Sequence, residues 1–196
     1  MKKSKIRKIR ENITEVEFNK LMTYLQGKEN LNPNTKDNLR RTFTLLYFTG
    51  MRLNEVKQLR IKDIHTIVEQ QELIITTHKT KRERKLFFSK EAVKQIKKAF
   101  QYDTLDDGED NYIIKAKGNG EATPSSLTFI TQINQFIQEV LGKRYSSHSF
   151  RAGLITAMSK SINPKFIKEF IGHSDISTTM RYIKPTDEDL RECLVR

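Results

Sequence analysis

The sequence has a single cysteine and no long apolar run, and these absences exclude whole classes of protein. Cys193 has no partner for an internal disulfide, and no Cys/His spacing typical of a zinc site occurs. No stretch approaches the ~18 apolar residues of a membrane-spanning helix. The basic segment 1–10 is not followed by the apolar region of a signal peptide. The sequence therefore predicts a soluble, cytoplasmic protein without a membrane partner.

Acidic residues are relatively few, since the chain has 24 Asp and Glu against 36 Lys and Arg. The resulting net charge of +12 favours a polyanionic partner such as nucleic acid. Charge alone fits a protein that only binds phosphate as well as one that reacts with it.

Apolar residues at helical spacing, bounded by capping residues and glycines, predict helices over most of the chain. The predicted helical segments are Thr14 to Gly27, Pro33 to Gly50, a short one from Arg52, Ser89 to Phe100, Thr123 to Gly142, and short pieces from Ser147 onward. Three β-branched and apolar runs, at 64–68, 73–77 and 86–88, predict strands. The expected fold class is α+β, mainly α-helical, with a small three-stranded antiparallel sheet.

Four separated stretches hold residues that suit phosphate chemistry. The turn at Gly50 puts Arg52 at a helix start, where a forked pair of N–H donors meets the positive end of the helix dipole. The basic stretch 78–85 around Lys79 forms the second connection of the predicted sheet. Taken singly, an arginine after a helix stop and a basic turn are usually just solvated.

The other two stretches lie in the C-terminal third. His148 and Arg151 are three residues apart, so a helix presents both on one face. His173 occupies a tight turn after a helix stop, and Tyr182 follows nine residues later. A capping histidine and a core tyrosine are the ordinary explanations of such residues.

Together the four stretches resemble the motifs of the tyrosine recombinase, or phage integrase, family. The resemblance spans about residue 12 to residue 185. The four motifs are Thr49-Gly50-x-Arg52-x-x-Glu55, the Lys79 turn, His148-x-x-Arg151, and Gly172-His173 followed by Thr178-Thr179-x-x-Tyr182. The joint pattern is highly specific, although each part is not.

The resemblance implies six catalytic residues: Arg52, Lys79, His148, Arg151, His173 and Tyr182. Tyr182 would attack the DNA phosphate, whose charge Arg52 and Arg151 would neutralise with a further hydrogen bond from His173. His148 would assist deprotonation of the tyrosine, and no metal or ATP would be needed.

Lys79 would protonate the departing 5′ oxygen, although Lys81 in the same turn competes for that role. Glu55 would support the first arginine helix. Lys81, Arg82 and Arg84 would contact DNA.

Two departures from the family pattern stand out. Ala152 replaces a histidine that many relatives have after the second arginine, which is not one of the shared catalytic groups. A helical core-binding domain usually precedes the catalytic domain, whereas here we expect a basic arm at 1–11, the catalytic domain at 12–185 and a helical tail at 186–196. That tail would pack on a neighbouring protomer or, equally, on its own domain.

Three functions compete. The first is a homotetrameric recombinase that joins two double-stranded DNA sites through a Holliday junction, in integration or excision, at the prokaryotic or phage nucleoid. The second is a relaxing enzyme resembling type IB topoisomerases, which share this chemistry. The third is a DNA-binding module without catalysis, which the intact motifs disfavour.

Overall fold

The computed structural model describes residues 11–76, 83–105, 108–116, 121–183, 187 and 191. Within these residues the elements run α1 (Glu15–Gly27), α2 (Pro33–Thr49), α3 (Leu53–Gln58), α4 (Ile61–Gln70), β1 (Glu72–Thr76), β2 (Glu83–Phe87), α5 (Lys90–Phe100), a 3₁₀ turn (Tyr102–Thr104), α6 (Ser126–Leu141), α7 (Ser147–Met158), α8 (Pro164–Ile171) and α9 (Ile176–Met180). The predicted mainly helical α+β class is confirmed. No helix in the described ranges is long and apolar enough to cross a membrane.

Helix α2 lies at the centre and packs against α1, α3, α5 and α7. Its residues 42–46 are all buried, as expected of a helix surrounded on every side. The Phe43 ring stacks on Phe150 of α7 with the ring centroids 5.8 Å apart. Asn38 exchanges hydrogen bonds of 2.8 and 3.0 Å with the backbone of Lys115, which docks the chain after the 3₁₀ turn onto α2. These contacts fix the position of α2 in the core, and with it the position of the helix C-terminus at Gly50.

The described part of the sheet has two antiparallel strands, and the predicted third strand is wrong. Residues 64–68 lie in α4, where Ile61, Ile64 and Ile67 are fully buried at helical spacing. The Asp63 carboxylate accepts a backbone N–H at the helix start over 2.7 Å. Helical periodicity and an N-terminal cap therefore outweigh the β-branched composition of this segment.

Strands β1 and β2 pair in a register that runs from Glu72 opposite Phe87 to Thr76 opposite Glu83. Buried and exposed side chains alternate along both strands. The inward positions of β2 are occupied by Arg84 and Leu86. A charged side chain therefore points from the hairpin into the protein.

The helix ends agree with the predicted capping signals. Glu17 accepts the backbone N–H of Thr14 over 2.9 Å, and the Ser89 hydroxyl accepts that of Ala92 over 3.1 Å. Helix α6 begins slightly later than predicted, because Ser125 is its N-cap. These caps hold the helices in register with the core.

Candidate active site

The most deeply anchored group of the site is the Arg151 guanidinium. It extends from α7, is 5% exposed, and donates to the backbone oxygens of Gly50 at 2.8 Å and Ile171 at 2.5 Å. These oxygens terminate α2 and α8, where the helix dipole places partial negative charge. Two helix ends thus compensate a cation that burial would otherwise strongly disfavour.

Both helix ends are turned by a glycine in the left-handed conformation. Gly50 has φ 59° and Gly172 has φ 75°. A β-carbon at Gly50 would lie 3.0 Å from a Leu154 methyl and 3.1 Å from one of Ile171. Glycine is required here by backbone conformation and by space together.

Arg52 is held differently, at the N-cap of α3. Its side chain is 42% exposed, and its guanidinium meets Glu55 at 3.0 Å. The same carboxylate accepts the Arg52 backbone N–H over 2.8 Å. Glu55 therefore orders both the backbone and the guanidinium of Arg52, while 42% of the side chain remains exposed to a ligand.

His173 follows Gly172 and is half-buried. Its Nδ1 lies 2.9 Å from the Thr179 hydroxyl, and Arg151 Nε points toward its Nε2 at 3.4 Å. Burial, followed by the charges of Arg151, Arg52 and Arg84, lowers the pKa of His173 to about 4. The imidazole is accordingly neutral at physiological pH.

Tyr182 lies beside this histidine, two residues after α9 ends. Its ring is roughly parallel to that of His173, with centroids 6.4 Å apart. It packs against the small apolar cluster of Ile155, Ile167 and Ile171. Its backbone N–H donates to the Thr179 backbone oxygen over 3.0 Å, so Thr179 contacts both the His173 ring and the Tyr182 backbone.

The site is strongly electropositive. Burial, then the neighbouring charges of Arg52 and Arg84, lowers the pKa of Arg151 to about 9, so this guanidinium stays charged at neutral pH. Burial alone would raise the pKa of Glu55, but Arg84 and Arg52 hold it below its usual value. This concentration of cations suits a phosphodiester, whose two non-bridging oxygens share a negative charge.

The sequence predicts that Arg84 contacts DNA, but the structure places its side chain in the interior, which corrects this prediction. Its side chain is 5% exposed and forms an ion pair with Glu55 at 2.7 Å. The other terminal nitrogen donates to the Phe170 backbone oxygen over 2.6 Å. Its inward position on β2 buries the guanidinium beneath the site.

The remaining predicted residues are placed only in part. Lys79, Lys81 and Arg82 lie outside the described residues, in the segment 77–82 that joins β1 to β2. His148 is exposed in the first turn of α7, one turn before Arg151. The structure thus brings Arg52 into contact with Glu55, and Arg151 into contact with His173, whose ring lies beside Tyr182. The two groups are close enough for the charge of Arg52 to lower the pKa of Arg151 and of His173.

Thr179 is the residue of the site to which sequence reasoning gave no role. Its side chain is fully buried and bonds to His173. Its place within the Thr-Thr-x-x-Tyr string was the available signal. In the described ranges, no group of three His, Cys, Asp or Glu side chains could hold a metal ion.

The chain belongs to the phage integrase family, whose family model matches residues 11–189. Tyrosine recombinase XerA of Pyrococcus horikoshii is 28% identical over 161 residues, which cover 81% of this chain and 55% of the relative. Tyrosine recombinase XerC of Treponema denticola is 28% identical over 164 residues, 76% of this chain and 52% of the relative. The chain thus spans about half the length of these curated relatives.

Solved structures share the fold. A crystal structure of XerA recombinase superposes with a TM-score of 0.69 at 18% identity, covering 98% of this chain and 65% of that one. XerH recombinase in a post-cleavage complex with palindromic difH substrate gives 0.69 at 19% identity, covering 95% and 53%. The catalytic domain of bacteriophage HP1 integrase gives 0.55 at 19% identity, with 94% of both chains covered. The fold is therefore that of tyrosine recombinase catalytic domains.

Proposed function

We propose that the chain carries the catalytic machinery of a site-specific DNA recombinase, which cleaves and rejoins strands through a covalent bond between phosphate and Tyr182. The observation that carries this proposal is the convergence of Arg52, Arg151, His173 and Tyr182 from separated parts of the sequence. The net charge of +12 supports DNA as the partner. XerH and the Tn1549 integrase, which share the fold, were solved with DNA.

In the proposed cleavage, the Tyr182 oxygen bonds to phosphorus and the bond from phosphorus to the 5′ oxygen breaks. His148 takes the tyrosine proton, and Lys79, or Lys81 in its place, gives a proton to the 5′ oxygen. Arg52 and Arg151 hold the non-bridging oxygens as negative charge develops on them. The 3′-phosphotyrosyl bond conserves the energy of the phosphodiester, so attack by a 5′ hydroxyl rejoins DNA without ATP or a metal.

The neutral state of His173 suits the role of hydrogen-bond donor to phosphate. A hydroxyl both donates and accepts, so Thr179 supports either tautomer of the ring at Nδ1. Arg151 Nε donates to His173 Nε2 over 3.4 Å, so Nε2 accepts and the ring proton lies on Nδ1, toward the Thr179 hydroxyl. To donate from Nε2 to a phosphate oxygen, His173 takes the other tautomer, and Thr179 then donates to Nδ1.

A nicked suicide substrate tests the chemistry, because loss of the short strand downstream of the cut traps the covalent adduct. We expect an adduct with the wild-type chain, in excess EDTA as well, and none with Tyr182→Phe. An adduct formed by Tyr182→Phe, or none formed by the wild type over a panel of integrase-type sites, contradicts the proposal.

Recombination of a plasmid with two sites separates a recombinase from a relaxing enzyme. We propose that four protomers pair two DNA sites and pass through a Holliday junction in integration or excision, at the nucleoid. The tail would join protomers; its described residues, Asp187 and Arg191, are both helical and exposed. Relaxation without recombinant product would instead favour the topoisomerase-like function.

A further inference from the structure

Two buried arginines are anchored at one place, the C-terminus of α8. Arg151 donates to the backbone oxygen of Ile171 over 2.5 Å, and Arg84 donates to that of Phe170 over 2.6 Å. A β-carbon at Gly172 would lie 2.9 Å from Arg84 Cδ, so the Arg84 side chain also packs directly against the turn that follows α8. Arg84 is therefore fixed to the same stretch of backbone as Arg151.

Arg84 connects this helix end to Arg52 through Glu55. Its second terminal nitrogen donates to Glu55 Oε2 over 2.7 Å. The same oxygen accepts the Arg52 backbone N–H over 2.8 Å, and Glu55 Oε1 accepts from the Arg52 guanidinium over 3.0 Å. Because Arg84 and Arg52 occupy both oxygens, the carboxylate is held in one orientation. Arg52 is thereby referred to the helix end that also anchors Arg151.

Folding stability gives a poor account of Arg84. Both partners of the Arg84–Glu55 pair are 5% exposed, and a buried ion pair often contributes no more than an apolar pair of the same volume. Arg84 Nε is buried without a hydrogen-bond partner among the described residues, which is unfavourable. The charge of Arg84 also lowers the pKa of Arg151, a cation that is itself buried. An apolar side chain at this position would avoid the last two penalties.

We propose that Arg84 is a positioning residue, which holds Glu55 so that the Arg52 guanidinium lies at a fixed distance from that of Arg151. This inference rests on the proposed function. Negative charge develops on both non-bridging oxygens of the phosphate at once, so two donors stabilise it fully only when both are correctly placed. Arg151 is set by its own two backbone bonds, whereas Arg52 depends on Glu55 and, through it, on Arg84.

A double-mutant cycle with Arg52 tests this route, since a residue that acts through Arg52 has no further effect once Arg52 is removed. Cleavage of the suicide substrate is measured in single turnover at saturating protein. Arg84→Lys keeps the charge but loses the forked geometry. We expect it to slow cleavage about 10- to 100-fold in the wild-type chain, with DNA affinity unchanged. In Arg52→Ala the same substitution should slow cleavage less than about twofold.

Lys85→Met is the matched control, because Lys85 is adjacent on β2, lies on the outer face at 44% exposure, and its replacement removes a positive charge. It should leave the cleavage rate of both backgrounds unchanged. Equal slowing by Arg84→Lys in both backgrounds overturns the route through Arg52 and indicates general structural support. A wild-type cleavage rate, or a change confined to DNA affinity and its salt dependence, overturns the positioning role as well.

Replacement of the whole ion pair separates positioning from stability. Arg84→Met combined with Glu55→Met puts apolar side chains in place of a buried pair, a change that often leaves stability unaltered. We expect an unfolding midpoint in urea no lower than that of the wild type, and cleavage slowed about 10- to 100-fold. Cleavage at the wild-type rate by this variant shows that the pair is not needed to place Arg52.

NMR of the Arg52 side chain distinguishes failure of this inference from failure of the proposed function, because it needs neither DNA nor catalysis. The Arg52 Nε–H signal is identified by its loss in Arg52→Ala, and its heteronuclear NOE reports the order of that side chain. Arg84→Lys should lower this NOE, whereas Lys85→Met should not. An unchanged NOE overturns the inference even if the wild-type chain forms no adduct. A lowered NOE in a protein whose wild type forms no adduct contradicts the proposed function alone.

Discussion

The two arginines of the site are held in opposite ways. Arg52 starts a helix, keeps 42% of its side chain exposed and is ordered by the carboxylate of Glu55. Arg151 sits in the interior, where backbone oxygens at the ends of two helices take the place of a carboxylate. One cation is partly exposed to solvent beside a carboxylate, and the other is built into the packing of the protein.

This difference separates two requirements of phosphate chemistry. A buried, preset donor costs little reorganisation when charge develops on the phosphate, whereas an exposed donor can reach a ligand that is still arriving. Substitutions at the two positions should therefore resemble each other in activity and differ in stability.

Arg151→Ala should have the largest effect, because it removes a transition-state donor and leaves the oxygens of Gly50 and Ile171 without it. We expect cleavage to fall on the order of 10²–10³-fold. The free energy of unfolding should fall by about 1–3 kcal/mol. Suicide-substrate cleavage and urea unfolding measure the two effects; a wild-type unfolding midpoint would show that the helix ends do not need the guanidinium.

Arg52→Ala should match that loss of cleavage while leaving the fold almost intact. Its ion pair with Glu55 is partly exposed, and such pairs contribute no more than about 1 kcal/mol. The same two assays apply, with Lys85→Met as a surface control. An unfolding free energy reduced as much as in Arg151→Ala would remove the contrast between the arginines.

The pKa of His173 is lowered by burial and by the charges of both Arg151 and Arg52, so the stability of the fold should depend on pH through this residue. Its pKa is lowered from an ordinary 6.5 to about 4, so the unfolded chain binds a proton that the folded chain does not. Folding stability should accordingly decline as the pH falls from about 6.5 to about 4 and be independent of this group above that window. Unfolding of His173→Gln across this range should show a shallower decline; an identical pH profile would contradict the lowered pKa.

Thr179→Val should give the smallest change, since it removes one hydrogen bond to His173 and keeps the volume of the side chain. We expect a cost of about 1 kcal/mol, or about fivefold in cleavage rate. Thr178→Val, at the less buried neighbouring position, serves as control. Equal effects of the two variants would show that the bond to Nδ1 is unimportant.

Local signals predicted most of the fold. Capping residues and glycines marked the helix ends at Thr14, Gly50 and Ser89, because such ends depend on neighbouring residues alone. The β-branched composition of segment 64–68 predicts a strand, but the spacing of Ile61, Ile64 and Ile67 suits the helix that the structure has. Arg84 alternates with Leu86 and Phe88 on one strand face, so its burial was also predictable from the period of two.

The environment of Arg151 could not be predicted in this way. Its anchoring oxygen at Gly50 lies 101 residues away in sequence, and the bond exists only because α2, α7 and α8 pack together. Motif spacing identified the residue type at the position. Tertiary packing determines how deeply Arg151 is buried. It also determines that backbone oxygens at two helix ends, and not a carboxylate, accept the hydrogen bonds of Arg151 Nη1 and Nη2.

One consequence follows from the two left-handed glycine turns that deliver those oxygens. The guanidinium reaches its working position only after helices from both halves of the chain have docked. A chain in which the C-terminal helices are undocked would still carry its net charge of +12, yet lack the preset guanidinium. The preset geometry of Arg151 is thus tied to completed folding, and so, under the proposed function, is strand cleavage.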